Sequence, residues 1–313
     1  METWNVKKIL DWGIDFFNGR DVPQARLSAE LLLASVLDLS RMDLYLNYNR
    51  ALTAGELQTY KKYILKRLEH VPIQYILSEA YFRDIKLYVD KNVLIPRPET
   101  ELLVERSIEI AEGILKEKGS VTIVEIGTGS GAIALSLYAG LKKKIGGSPG
   151  GGSRCTIIAT DSSPGALEVA RKNARDILEE GDLESIEFVQ CDILPGKDSA
   201  IFTKYCGKVD LVISNPPYIK EDDFLALPRE VREYEPGEAL IAGKTGLEVY
   251  EKILSAISPY LAAAGPAYIV FETDPVISRG LLKLVEGFKD IKQASLEKDY
   301  NKKDRILIAS RSL

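Results

Sequence analysis

The sequence predicts an α/β chain in two parts: a small helical domain, then a mostly parallel sheet with helices on both faces. Three observations lead there. Before about residue 78, apolar residues recur at helical spacing. From Val121 onward, short β-branched and aliphatic runs alternate with helix-forming stretches, the rhythm of successive βαβ units. Those runs are apolar nearly throughout, as strands buried on both faces are.

Taken in order, Pro23 to Leu39 is rich in Leu and Ala and predicts a helix. Thr53 and Glu56 have the spacing of a capping box, and Leu57, Tyr60, Ile64 and Leu68 then fall on one helical face. Residues 1–78 are therefore assigned to a helical domain. From Glu79 to Leu94 the period changes, with Phe82, Ile85, Leu87 and Val89 partly alternating, which predicts a hairpin within a linker at 79–97. Pro98 suits a helix start, Glu99 and Glu101 suit its positive end, and Leu103, Ile110 and Ile114 share one side. Residues 98–313 then form the second domain. Its expected strands are 121–127, 155–161, 186–192, 210–215, 267–272 and 304–310, and its helices 131–141, 164–178 and 245–261. A strand-like segment at 290–297 precedes the last strand, so an antiparallel edge is expected. The Gly/Ser/Pro-rich stretch 145–153 interrupts the rhythm and reads as a flexible surface loop, since no P-loop Lys-Ser/Thr follows it.

Composition narrows the function classes. Hydrophobic residues make up 45% of the 313 and charged residues 28%, as in an ordinary globular protein. No apolar run is long enough to span a bilayer. METWNVKKILDWG lacks an uninterrupted apolar core before a cleavage site, so no secretory leader is expected. Cys155, Cys191 and Cys206 form no close pair, which fits a reducing cytoplasm. The net charge of −5 argues against a protein that tracks nucleic-acid backbones. His70 is the one histidine, so a histidine triad or multi-histidine metal site is excluded. It reads as a polar residue closing a helix before Val71-Pro72, and no metal is expected.

Glu125-Ile-Gly-Thr-Gly-Ser-Gly131 lies between a predicted strand and a helix, where glycines allow a sharp turn and let a ligand approach the backbone. Alone it could be a tight turn. The next strand ends in Asp161, placed to accept from two ribose hydroxyls. A third ends at Gln190-Cys191-Asp192, where Asp192 could accept from an exocyclic amine. Each acid alone could be a helix cap, but three successive strand ends make a nucleoside-sized site. A nicotinamide cofactor is the rival occupant.

The strand DLVIS runs into Asn215-Pro216-Pro217-Tyr218. Two prolines remove two donors and fix two φ angles, so pairing stops there. A planar NH2 group is a poor nucleophile because its lone pair is delocalised. The Asn215 side-chain oxygen and the Pro216 carbonyl could each accept one of its N–H groups, and Tyr218 could stack on it. Such contacts orient the nitrogen and favour the geometry of transfer.

The glycine loop, strand-end acids and Asn-Pro-Pro-Tyr turn together resemble the S-adenosylmethionine-dependent methyltransferases, which implies a seven-stranded Rossmann-like sheet, mostly parallel with an antiparallel edge strand. By that resemblance Gly127, Thr128, Gly129, Ser130 and Gly131 border the methionine part, Asp161 the ribose, and Asp192 with Ile193 the adenine, with Asn215 reaching both ligands. Asn215, Pro216 and Tyr218 are the implied catalytic residues, and Pro217 joins them in binding substrate. The turn occurs in methyltransferases of adenine, guanine and glutamine. Ile95-Pro-Arg-Pro-Glu-Thr-Glu101, Glu230 to Leu240, Thr245-Gly-Leu-Glu-Val-Tyr250 and Lys298 to Arg305 resemble the bacterial protein-glutamine methyltransferases that modify peptide-chain release factors. That resemblance covers nearly the whole chain. It implies a cytoplasmic enzyme whose substrate is the glutamine of the release factor's Gly-Gly-Gln motif, with no membrane and no direct nucleic-acid partner. Alternatives are a ribosomal-protein glutamine, a nucleic-acid amino group, or cofactor binding without catalysis. The chain departs from the family at Ala242-Gly-Lys-Thr-Gly-Leu247, usually Gly-Gly-x-Asp-Gly-Leu, and at Phe271-Glu-Thr-Asp-Pro, where Glu-Ile-Gly is usual. Arg97 and Glu99 either border the site or serve the helix start.

Overall fold

The computed structural model of the protein describes residues 4–20, 22–145, 154–263 and 265–311. The Gly-rich stretch 146–152 lies outside them. The chain opens with α1 (Val6–Asn18), α2 (Ala25–Leu37), α3 (Arg41–Leu46), α4 (Ala54–Leu68) and α5 (Ile73–Leu77). Local chemistry sets their ends. Asn5 caps α1 by accepting from the Lys8 amide at 2.9 Å. The expected Thr53–Glu56 capping box starts α4, and Ser40 with Asp43 forms a second on α3. His70 closes α4 in the left-handed region, its amide donating to the Arg67 carbonyl at 3.0 Å. Phe17, Leu32, Leu33, Tyr60 and Ile64 form the core. A Cβ at Gly13 would collide with the Tyr60 hydroxyl, so only glycine allows that approach.

Next come the hairpin β1 (Ala80–Phe82) and β2 (Ile85–Leu87), turning through Arg83 at φ 50°, and then α6 (Thr100–Lys118). Pro98 stands just ahead of the α6 cap rather than inside its first turn, because the chain already turns there: the Glu101 amide donates to the Pro98 carbonyl at 3.1 Å. The α/β part then runs β3 (Ser120–Ile126), α7 (Ala132–Ile145), β4 (Arg154–Asp161), α8 (Pro164–Ile177), β5 (Ile186–Gln190), α9 (Ala200–Tyr205) and β6 (Leu211–Ser214). It continues with β7 (Ile219–Lys220), α10 (Arg229–Tyr234), β8 (Ile241–Gly243), α11 (Glu248–Ile257), β9 (Ala267–Glu272), α12 (Ser278–Glu286), β10 (Gln293–Lys298) and β11 (Asp304–Arg311).

Seven strands form one sheet in the order β10-β11-β9-β6-β3-β4-β5. Antiparallel pairing is confined to the β9, β11 and β10 side, as the edge hairpin requires. Val124, Ile126, Val212, Ile269, Phe271 and Leu307 share a core with Tyr250 of α11 and Leu281 of α12. Ile123, Ile157, Ile213 and Val270, which alternate with them, are buried on the opposite face, where α6 and α7 pack. Burial on both faces explains why these strands read as continuous apolar runs. The strand order reverses at β3, which places a ligand crevice beyond its carboxyl end.

The described residues divide into two compact units. One holds the chain up to Glu79 together with Leu227–Tyr234, and the other Ala80–Ala226 with the residues from Glu235 onward. Within the first, α10 is fastened to α4. Arg67, buried to 3% exposure, donates to Glu230 at 2.7 Å, and the Tyr234 hydroxyl donates to the Glu69 carbonyl at 2.6 Å. Among the described residues no helix is long and apolar enough to cross a membrane.

Candidate active site

The candidate site lies along the carboxyl ends of β3, β4, β5, β6 and β9. After β3 the chain turns through Gly127, Gly129 and Gly131 at φ 75°, 55° and 82°, a region that favours glycine. The amides of Gly127 and Thr128 both donate to the Thr160 carbonyl of β4 at 2.9 Å. The Gly129 amide donates to Asp161 Oδ2, also at 2.9 Å. The three glycines do different work. A Cβ at Gly131 would lie 3.2 Å from Leu135 and 3.4 Å from Ala170, so this glycine lets α7 and α8 close up. At Gly127 and Gly129 a Cβ would meet nothing within 4 Å, which leaves the backbone open to a ligand.

Two side chains stiffen the loop from below. Thr128 Oγ1 donates to Glu125 Oε2 at 2.8 Å. Glu125 is fully buried, and burial pushes its pKa up to about 8. The Ser130 carbonyl accepts from Asn173 Nδ2 at 2.9 Å, which ties the loop to α8.

Asp161 ends β4 half-buried, with its second oxygen accepting from the Ser163 amide at 2.9 Å. Burial raises its pKa, the backbone donors of Ser163, Gly129 and Ser162 oppose that, and the nearby Glu238 adds to the rise. The Cys191 amide donates to the Asp161 carbonyl at 3.0 Å, and Thr160 Oγ1 donates to the Ile193 carbonyl at 2.9 Å. The end of β5 is thus stitched to the end of β4, with Asp192 exposed and Ile193 half-buried beside it. Glycine loop, Asp161 and Asp192 share one rim, as read from sequence. Asp161 and Glu238 make that rim acidic, which suits a cationic sulfonium better than the anionic pyrophosphate of a dinucleotide.

The Asn-Pro-Pro-Tyr turn leaves β6 directly beside this loop. Ser214 pairs with Ile126, and its hydroxyl donates to the Ile126 carbonyl at 2.7 Å. Asn215 is half-buried, and its Nδ2 donates to Thr100 Oγ1 at 3.2 Å. Neither Asn215 Oδ1 nor the Pro216 carbonyl accepts a hydrogen bond from another described residue. Tyr218 packs on the core beneath, and burial raises its hydroxyl well above the usual tyrosine range. The turn is braced from the far side. The Ile219 amide donates to the Leu240 carbonyl at 2.9 Å, and Gly246 passes so close that a Cβ there would lie 2.7 Å from the Tyr218 carbonyl.

Arg97 donates to Glu235 at 2.7 Å, and Glu235 also accepts from the Ile95 amide at 3.1 Å, so the Pro-Arg-Pro-Glu turn is anchored by the segment that returns to the sheet. Arg97 also acts on Glu272 and Tyr218. Sequence reasoning passed over Thr100 and Glu272. Both lie in segments the resemblance had singled out, Thr100 within Ile95–Glu101 and Glu272 within Phe271–Pro275, but nothing in those segments gave either residue a role of its own.

Comparison with known proteins decides between the cofactors. Residues 8–77 match the PrmC N-terminal domain, and residues 117–259 a methyltransferase domain. A release factor glutamine methyltransferase of Chlorobaculum tepidum is 41% identical, over 98% of this chain and 97% of its own. The chain belongs to the release factor glutamine methyltransferase family. Release factor glutamine methyltransferases of Leptospira interrogans and Rhodopirellula baltica are 33% and 31% identical, over 98% and 97% of this chain and 98% and 95% of theirs. As a member, the protein is an S-adenosylmethionine-dependent protein-glutamine methyltransferase. The open backbone at Gly127 and Gly129 and the acidic rim fit that cofactor.

Proposed function

We propose that this protein methylates the side-chain amide nitrogen of the glutamine in the Gly-Gly-Gln motif of a peptide-chain release factor, in the cytoplasm. One observation supports the chemistry above the others: Asn215 Oδ1 and the Pro216 carbonyl are two uncommitted acceptors on one rigid turn, next to the cofactor loop. When bound, the cofactor supplies an electrophilic methyl group. The chain's own residues do the rest. Asn215 and Pro216 each accept one N–H of the glutamine amide, which holds its nitrogen in line for attack. Their contacts strengthen as the nitrogen loses conjugation and its N–H groups become more acidic. Pro216 and Pro217 keep the carbonyl from rotating, and Tyr218 packs against the flat amide. Gly127 to Gly131 with Asp161, Asp192 and Ile193 hold the cofactor. The release factor is the substrate in the names of the relatives, and the near-complete coverage of both chains supports carrying it over.

The test offers methyl-labelled S-adenosylmethionine to purified release factor, ribosomal proteins and DNA in parallel. One added methyl, mapped by mass to the Gly-Gly-Gln glutamine, is expected. Label on ribosomal protein or DNA and none on release factor would overturn the reading.

A further inference from the structure

We propose that Thr100 and Glu272 are positioning residues for methyl transfer, together fixing the Asn215 amide with its oxygen, rather than its nitrogen, toward the substrate. The proposal rests on the reading of Asn215 as an acceptor. The two ends of an asparagine amide are nearly the same size, so packing alone does not choose between them; hydrogen-bond partners do. Asn215 Nδ2 donates to Thr100 Oγ1 at 3.2 Å. A hydroxyl both donates and accepts, so Thr100 alone would take either end. Glu272 breaks the tie. Its carboxyl is 1% exposed at the end of β9, and the Thr100 hydroxyl is among the groups that favour its ionised form, acting as a donor toward it. An ionised carboxylate only accepts. An ionised Glu272 draws the Thr100 proton, which leaves the oxygen of Thr100 to receive the NH2 of Asn215. A flipped Asn215 would turn two donors toward a substrate amide that must itself donate.

The three groups converge from the first turn of α6 and the ends of the adjacent strands β6 and β9, where Ser214 pairs with Phe271. The other charges felt at Glu272 are Arg97 and Glu99 ahead of α6 and Arg305 of β11, while Tyr218, Tyr250 and Asp274 share its surroundings. The arginines and Thr100 favour the ionised form. Burial and Glu99 oppose it, and burial wins, lifting the pKa to about 7. Glu272 Oε2 is buried with no hydrogen-bond partner, so it is the oxygen free to carry the proton. Once protonated, Glu272 becomes a donor and releases the Thr100 hydroxyl, and the preference for one orientation of Asn215 is lost.

The experiment measures kcat with release factor as substrate, alongside the cofactor Kd. Thr100→Val lowers kcat by roughly tenfold or more, the scale of one misplaced transition-state contact, while Kd is unchanged. Thr100→Ser restores kcat, which a purely structural role of the Thr methyl would not allow. In an Asn215→Ala background Thr100→Val costs nothing further. Glu272→Gln, which cannot ionise, keeps kcat level across about pH 6 to 8, where wild type declines on the acid side of about 7. Wild-type kcat in Thr100→Val, or the same loss with and without Asn215, overturns the proposal. Wild-type kcat in Asn215→Ala alone would instead overturn the reading of Asn215, and this proposal with it.

Discussion

The Gly129 amide and the Asp161 carboxylate are joined by a 2.9 Å hydrogen bond, so the loop after β3 takes its shape from the acid that ends β4. One oxygen of Asp161 shapes the loop and the other accepts from the Ser163 amide, at the start of α8. A single side chain thus ties the glycine loop to the start of α8, at the position proposed to hold the cofactor.

Asp161→Ala is expected to weaken cofactor binding by ten- to a hundredfold, since two charge-assisted hydrogen bonds and a ligand contact go together. At saturating cofactor kcat stays within a few-fold of wild type, because Asp161 lies away from the Asn215 turn. Calorimetric Kd values with single-turnover rates check this, and an equal loss in both would contradict it.

Gly131 and Gly129 should respond differently to alanine. Gly131→Ala meets Leu135 at 3.2 Å and holds φ 82°, so stability falls by about 1–3 kcal/mol in urea unfolding. Gly129→Ala, at φ 55° with nothing within 4 Å, costs about 1 kcal/mol of stability but blocks the open backbone. Its signature is a cofactor Kd raised roughly tenfold or more.

Glu125 gives a signed pH prediction. Unfolded, it titrates near ~4.3, whereas folded, burial lifts it to about 8. Between those values the native state binds the extra proton. The stabilisation is therefore complete below ~4 and is lost as pH rises through 8, with a slope of up to about 1.4 kcal/mol per pH unit. Glu272 acts with the same sign up to about 7. Glu125→Gln should flatten the decline between about pH 5 and 8 in chemical unfolding, and an unchanged slope would refute the assignment.

In the helical unit, Glu230→Ala leaves the Arg67 guanidinium buried against the neutral partners Val71 O, Pro23 O and Ser28 Oγ. Loss of about 2–3 kcal/mol is expected, more than for a surface pair. Faster proteolytic cleavage around 227–234 would accompany it.

The sheet was legible because its strands are local, apolar and sharply bounded. DLVIS ends at Asn-Pro-Pro and CTIIAT at an acid, so sequence and structure agree there to within a residue or so. The Thr53–Glu56 box was readable for the same reason: two residues three apart carry the whole signal. The short α9, α10, β7 and β8 were not read. β7 pairs with β8 across the intervening α10, and neither strand is long enough to show a period. α10 joins the helical unit through Arg67, 163 residues away from Glu230. That the glycine loop, Asp161 and Asp192 lie along one edge of the sheet could be inferred because each stands at the end of its own strand. Thr100 could not, since its bond to Asn215 spans 115 residues and exists only once α6, β6 and β9 have met.

The most direct measurement compares Asn215→Ala with wild type for single-turnover methyl transfer to release factor, with the cofactor Kd taken on the same samples. If the turn orients a planar amide, the rate falls by about a hundredfold or more while Kd moves by a few-fold at most. A wild-type rate, or a loss of rate matched by an equal loss of cofactor affinity, would contradict the account.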